Sequence, residues 1–171
     1  MLRFAEFSYC GTYRYALWRA WQPEAPRVLF IGLNPSTADD RMDDPTVRRC
    51  LGYARSWGYG SLAIANLFAY RSTNPAHLRT AEDPVGPLND RWLQDLARES
   101  DLVVAAWGDH GRFDQRWKEV AAMRAELYCL GMTKLGQPRH PLYLKKSLRP
   151  ILWVPHLAEQ EYPPKGAQAR D

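Results

Sequence analysis

No stretch of this 171-residue chain stays apolar long enough to cross a membrane, and the mean hydropathy of -0.49 agrees with that. Cysteine is scarce and odd in number: Cys10, Cys50 and Cys129. These three form no CxxC pair and no Cys/His ligand spacing, which argues against both a zinc site and a disulfide framework. Three thiols also cannot supply a four-thiolate iron–sulfur cluster. Reduced, mostly buried thiols are expected. A basic, apolar and small-residue signal pattern is missing too, since Arg3, Glu6 and Ser8 interrupt the opening stretch, so a cytoplasmic location is expected. Internal repeats and interdomain linkers are absent as well.

What is present is ordinary in bulk: 46% hydrophobic and 25% charged residues. The length suits one domain with a real core. A single α/β domain over residues 1–158 is expected, followed by a flexible polar tail over 159–171. A net charge of +4 and a pI near 9.0 permit an anionic partner without requiring one. Seven Trp and nine Tyr, several beside Arg, offer faces that suit bases and phosphates. Filling the core and its rim is the simpler account for most of them.

Along the chain, Phe4 to Trp21 alternates apolar and polar residues around Cys10-Gly11-Thr12 and reads as a β-hairpin or edge pair. Arg27 to Gly32 is a buried strand that breaks at Gly32-Leu33-Asn34-Pro35. Asp44-Pro45-Thr46 starts a helix, with Asp44 as N-cap and Val47, Leu51 and Ala54 on one face. Leu62 to Phe68 is the next strand, and Tyr70 to Pro87 is a long loop of the kind that carries function. A helix over Asn89 to Arg98, a strand over Leu102 to Ala106, a helix over Phe113 to Arg124 and a strand over Leu127 to Leu130 follow. This alternation predicts a three-layer αβα sandwich with a mainly parallel central sheet of about four strands. Tyr143 to Val154 has no clear period.

Ligands of open parallel sheets bind outside the carboxyl ends of the strands. Three motifs fall at such ends: Gly32-Leu33-Asn34-Pro35-Ser36-Thr37, Trp107-Gly108-Asp109-His110, and Gly131 onward to Arg139-His140-Pro141. Topology therefore predicts that Asn34, Trp107 and His140 share one rim. Asn34 offers an amide able to read a base edge or hold a water. His140 can shuttle a proton or donate, while neutral, to a developing anion. A lone Asn-Pro is more often a turn and a lone His more often structural, so it is their meeting at one rim that gives them weight. Asp39, Asp40, Asp43 and Asp44 could in principle hold Mg²⁺. Asp44 is better explained as a cap, however, and Arg41, Arg48 and Arg49 stand ready to neutralise the rest, so neither metal nor cofactor is expected.

Four strings carry a resemblance: Phe30 to Asp39, Asp44 to Cys50, Asn66-Leu67-Phe68-Ala69-Tyr70-Arg71, and Gly136 to Tyr143. Together they resemble the family called domain of unknown function 1643, from Tyr13 to Leu144. More distantly, a strand ending in Gly-x-Asn-Pro, a later one ending in Trp-Gly and a late His-Pro before Leu are similar to the uracil-DNA glycosylase superfamily. That likeness implies a glycosylase-like fold and a role in DNA repair. It gives Asn34 the attacking water, His140 the leaving-base anion, Leu142 the wedge and Trp107-Gly108 the border of the base pocket. The departures are plain. The acid of the uracil-specific branch is replaced by Leu33-Asn34-Pro35, the Ser of the late motif by Leu142, and no aromatic residue follows Pro35 to stack on a base.

The expected function is a nucleobase- or nucleic-acid-directed hydrolase that cleaves an N-glycosidic bond of a modified or damaged base. Asn34 and His140 are its catalytic candidates. Gly32, Pro35, Ser36, Asn66, Trp107, Gly108, Leu142 and Tyr143 are expected to bind substrate, with Trp107 and Tyr143 as walls. Arg71, Lys134 and Arg139, with Arg48 and Arg49 behind them, would form a phosphate collar for a nucleic-acid or nucleotide partner; solvated surface charge is the competing account. The alternative function is a non-catalytic nucleotide or nucleic-acid binding module using the same pocket.

Overall fold

The structure is a computed structural model that describes residues 1–155, so the tail expected over 159–171 lies outside the described residues. Strands β1 (Leu2–Phe7) and β2 (Arg14–Ala20) form the N-terminal hairpin. Then come β3 (Arg27–Gly32), α1 (Pro45–Ser56), β4 (Ser61–Asn66), α2 (Asn89–Arg98), β5 (Leu102–Ala105), α3 (Arg116–Ala121), β6 (Tyr128–Cys129) and β7 (Ile151–Leu152). Short 3-10 segments cover Pro75–Arg79 and Asp109–Gln115.

All the strands join one mixed seven-stranded sheet in the order β1-β2-β4-β3-β5-β6-β7. Its middle, β4-β3-β5-β6, is parallel, as the strand–helix alternation requires. The sheet is wider than the expected four strands because antiparallel neighbours extend it on both sides. The hairpin docks through β2 on β4, and two-residue β7 pairs with β6. A strand as short as β7 has no period to read.

The inner strands bury both faces, so they read as apolar runs rather than alternations. Successive residues point to opposite sides. Val28, Phe30, Leu62, Ile64 and Val104 pack under Val47, Cys50, Leu51 and Ala54 of α1. Leu29, Ile31, Ala63, Ala65, Val103 and Ala105 meet Leu93, Leu96 and Ala97 of α2 and Trp117 and Val120 of α3 on the other face. Burying each Val, Leu, Ile or Phe among them fully contributes about 1.5–3 kcal/mol, and each Ala less, before chain entropy is charged. Cys50 and Cys129 are buried as expected, whereas Cys10 stands exposed in the hairpin turn.

The helix expected from Phe113 to Arg124 is broken. Asp114 and Gln115 adopt left-handed backbone angles, and α3 is only six residues long. The reason is local anchoring. Arg116 is drawn inside, 2% exposed, where its Nε donates to the Leu67 carbonyl at 2.9 Å and its other nitrogens pair with Asp90 and Glu119. Phe113 meanwhile packs on Phe68, with ring centroids 5.5 Å apart. A turn of two left-handed residues satisfies both, where helical periodicity alone would predict continuation.

Candidate functional site

The carboxyl ends of β3, β4 and β5 open into a cavity of about 560 Å³. Backbone hydrogen bonds build its rim. After β3 and β4 the two chains run on together, with Leu67 N–H donating to Gly32 O and Phe68 N–H to Leu33 O. Ser72 N–H then reaches Pro35 O at 2.9 Å. Residues 131–139 form a small hairpin closed by Arg139 N–H to Gly131 O and Thr133 N–H to Gln137 O. Gly108 N–H donates to Pro138 O, which brings His140 to the end of β5. Gly108 itself has φ 68°, a left-handed angle that suits glycine.

The three residues expected on one rim, Asn34, Trp107 and His140, all line this cavity, together with Gly32, Ser36, Asn66 and Gly108. Pro35, Arg71, Lys134, Arg139, Leu142 and Tyr143 do not. Pro35 is buried beneath the loop. Arg71, expected to be free for phosphate, donates to Gly11 O at 3.0 Å and lies over the Phe7 ring, though it also borders a shallow polar depression with Thr12, Ser36, Thr37, Ser72 and Thr73. Tyr143 points to solvent, 93% exposed, so it walls nothing. Lys134 and Arg139 are exposed and Leu142 is half-buried. Trp107 borders the cavity with its indole in the core; its Nε1 donates to Gln137 Oε1 at 2.9 Å and its ring meets Trp153 edge-on.

The polar atoms left to the cavity define its chemistry. The Asn34 amide nitrogen donates to the carbonyls of Ser72, Pro35 and Tyr70, at 2.9, 3.2 and 3.4 Å. Those three acceptors fix its orientation and leave Oδ1 as a free acceptor. Asn66, 4% exposed, has an amide nitrogen buried with no partner. Its side chain crosses the strand end because residue 32 is glycine: a Cβ there would come 2.8 Å from Asn66 Oδ1. Nδ1 of His140 accepts the Leu142 N–H at 3.2 Å, which assigns the neutral tautomer with a proton on Nε2. Although His140 is exposed as a residue, partial desolvation of its ring at the cavity rim lowers its pKa below the ordinary value, against the opposing pull of the Asp44 carboxylate.

A family profile described as protein of unknown function (DUF1643) matches residues 14–142. The chain belongs to this family. No curated protein and no solved structure matches it.

Every residue lining the cavity of this DUF1643 chain falls within the matched span. Several of them escaped sequence reasoning. Arg14 opens β2, far in sequence from any strand-end motif, and reads there as an ordinary edge-strand arginine. Asp44 was legible as the α1 cap, accepting from Val47 N–H at 2.8 Å, but not as cavity wall. Ser72 and Thr73 come from the long loop, whose length was the signal available. Asp109 and His110 were placed at the strand end with Trp107-Gly108 but given no role there; Asp109 accepts from the Thr133 hydroxyl at 2.5 Å. Among the described residues no group of three or more His, Cys, Asp or Glu could hold a metal ion. Of the Asp39–Asp44 cluster, Asp43 is engaged by Arg3 and Arg19, and Asp39 caps the amides of Arg41 and Met42.

Proposed function

We propose that this cavity is a nucleobase site and that the protein hydrolyses the N-glycosidic bond of a modified or damaged base, in the manner of the uracil-DNA glycosylase superfamily. The observation that carries the reading is the presence of Asn34 and His140 in one cavity, each with its free atom defined. Asn34 Oδ1 accepts a proton of the attacking water and so orients it. His140, neutral with its Nε2 proton available, donates to the base as negative charge develops on it. Asn66 supplies an unsatisfied amide for the base edge, and buried polar groups left open in this way favour the ligand that completes them.

The partner on this reading is a nucleic acid or nucleotide. Arg139 and Lys134 stand exposed beside the rim and Arg71 beside the adjoining depression, where each can meet a phosphate. Leu142, tied to His140 through its amide, serves as the wedge. One observation favours a second reading, a binding module without bond cleavage: the first loop, Leu33-Asn34-Pro35, offers no acid, and the Asn34 amide nitrogen is spent on the loop itself.

Release of free base from oligonucleotides containing uracil, thymine mismatches, hypoxanthine or oxidised bases separates the two. On the hydrolase reading His140→Ala slows release by about 10²–10³ while binding changes little, as when one oxyanion donor is removed. Asn34→Ala slows it as well. Absence of release from every substrate, with binding that both variants weaken, assigns the module instead. Tight binding that neither variant weakens sinks both.

A further inference from the structure

Arg14 presents an unusual charge to this cavity. It is 3% exposed, lines the cavity wall and takes part in no ion pair among the described residues. Its Nη1 donates to Ala38 O at 2.5 Å, its Nε is buried without a partner, and its Nη2 makes no hydrogen bond among the described residues. Burial lowers its pKa to about 10, which leaves it cationic at neutral pH. The carboxylates that act on it from a distance are committed elsewhere: Asp44 to the start of α1, Asp39 to two backbone amides. The cations near it are Arg71, held by Gly11 O, and Arg19, paired with Asp43. A buried charge without a counterion is expensive to keep, and its unsatisfied donors favour a ligand that brings negative charge to them.

Resting on the nucleobase reading above, we infer that Arg14 is the contact that selects the base: its guanidinium receives an exocyclic oxygen of an oxo-substituted base, the atom onto which negative charge spreads as the base leaves. In that step the C1′–N bond breaks and its electron pair stays with the base. The water oxygen bonds to C1′ and gives up a proton, and the base anion is later protonated, so the net change is addition of one water. A fixed buried cation beside the carbonyl oxygen lowers the energy of the departing anion more than that of the neutral substrate. The substrate class is therefore a lactam base, of the uracil, hypoxanthine or xanthine kind, in preference to amino-only adenine. A phosphate fits less well, because the carboxylates of Asp44 and Asp109 line the same cavity.

The test is equilibrium binding of free heterocycles to the full chain at one pH. Thymine, uracil, 5-fluorouracil and 5-nitrouracil form a series of rising N–H acidity, with adenine and inorganic phosphate as comparisons. Affinity rises along the series in the unaltered protein, and adenine binds more weakly than uracil. Arg14→Gln keeps a donor for Ala38 O but no charge; it flattens the series and loses about 10- to 100-fold at the acidic end. Arg14→Lys keeps the charge without the fork and falls between. Should Arg14→Gln fail to fold by thermal denaturation, Arg14→Lys must still lose at least about fivefold on 5-nitrouracil with adenine unchanged.

A flat series in the unaltered protein, or folded variants that bind as it does, overturns the role of Arg14 and makes it an anchor for Ala38, while the nucleobase reading stands. Binding of phosphate alone, lost in Arg14→Gln, overturns the base contact in favour of a simple anion site. No heterocycle bound by any form overturns the nucleobase reading itself.

Discussion

The two walls of the cavity are held in place by different physics. One wall consists of strand ends: Gly32 to Asn34 with Ser36, Ala106 to His110, and His140 on the loop tied to Gly108. Backbone hydrogen bonds fix it, and those follow from the parallel pairing of β4, β3 and β5. The other wall, with Arg14 and Asp44, is delivered by the hairpin and by the segment before α1. The hairpin is itself laddered to β4 through β2, but few backbone bonds join it to the segment before α1; side-chain charge does. Arg19 of β2 and Arg3 of β1 both grip Asp43, and Arg14 and Arg19 hold the carbonyls of Ala38 and Asp39. A wall fixed by topology tolerates loss of single side chains. A wall fixed by charge does not.

The largest expected effect tests that contrast. Arg19 is fully buried, with Nε 2.8 Å and Nη2 2.7 Å from Asp43 Oδ1. Arg19→Met leaves Asp43, itself only 11% exposed, with one remaining partner and removes the donors to Asp39 O and Trp18 O. Urea unfolding is expected to show a loss of about 3–5 kcal/mol. Arg3 is 32% exposed at the same carboxylate, and Arg3→Met should cost less than about 1 kcal/mol. Equal losses would show that the network acts as surface charge and that the two walls are not held differently.

The same contrast explains what the sequence could reveal. The parallel strands and the capped start of α1 were legible because apolar runs, Gly/Pro breaks and an Asp-Pro pair are local signals. From strand ends alone it followed that Asn34, Trp107 and His140 would meet. Arg14 and the role of Asp44 in the cavity were not legible, since they depend on how the hairpin packs against a loop 24 residues away. Placing Tyr143 on the wall failed for a related reason. The chain turns at residue 143 with φ 67°, which carries the ring outward, and periodicity does not report such turns.

A smaller effect is expected from His140, the strand-end residue that feels Asp44 of the opposite wall. An unfolded His titrates at about 6.5, and partial desolvation at the rim sets the folded His140 lower. Between those values the unfolded chain binds more protons than the folded one. Stability from this group is therefore fully present above about 6.5 and is lost as pH falls through the folded pKa. Urea midpoints measured from pH 8 to pH 5 should fall more steeply for the unaltered protein than for His140→Gln. Asp44→Asn should steepen the fall, because removing the carboxylate removes the attraction that opposes desolvation. A steeper fall in His140→Gln than in the unaltered protein would reverse the assigned sign and free the two walls of electrostatic contact.

The smallest effect on stability, and the finest probe of the hairpin side, is Cys10. The Ser8 and Thr12 hydroxyls lie 3.4 and 3.3 Å from its sulfur and, with Ser8 the larger influence, bring its pKa down to about 7. Cys50 and Cys129 are buried and shifted the opposite way by that burial. At pH 7, then, iodoacetamide should modify one thiol quickly and the other two only after unfolding, since the thiolate is the nucleophile. The fast rate should fall about fivefold from pH 7 to pH 6, as expected for a thiol half ionised at pH 7. Ser8→Ala should slow it at pH 7 more than Thr12→Ala does, and Cys10→Ser should abolish it without moving the urea midpoint. Because Arg71 ties this turn to the loop carrying Ser72, through Gly11 O, the labelling rate also reports on the charge-held wall. Arg19→Met should therefore change that rate under native conditions if the hairpin shifts as one unit. A rate unchanged in Arg19→Met, in protein that is measurably destabilised, would confine the charge network to the segment before α1 and leave the hairpin turn out of it.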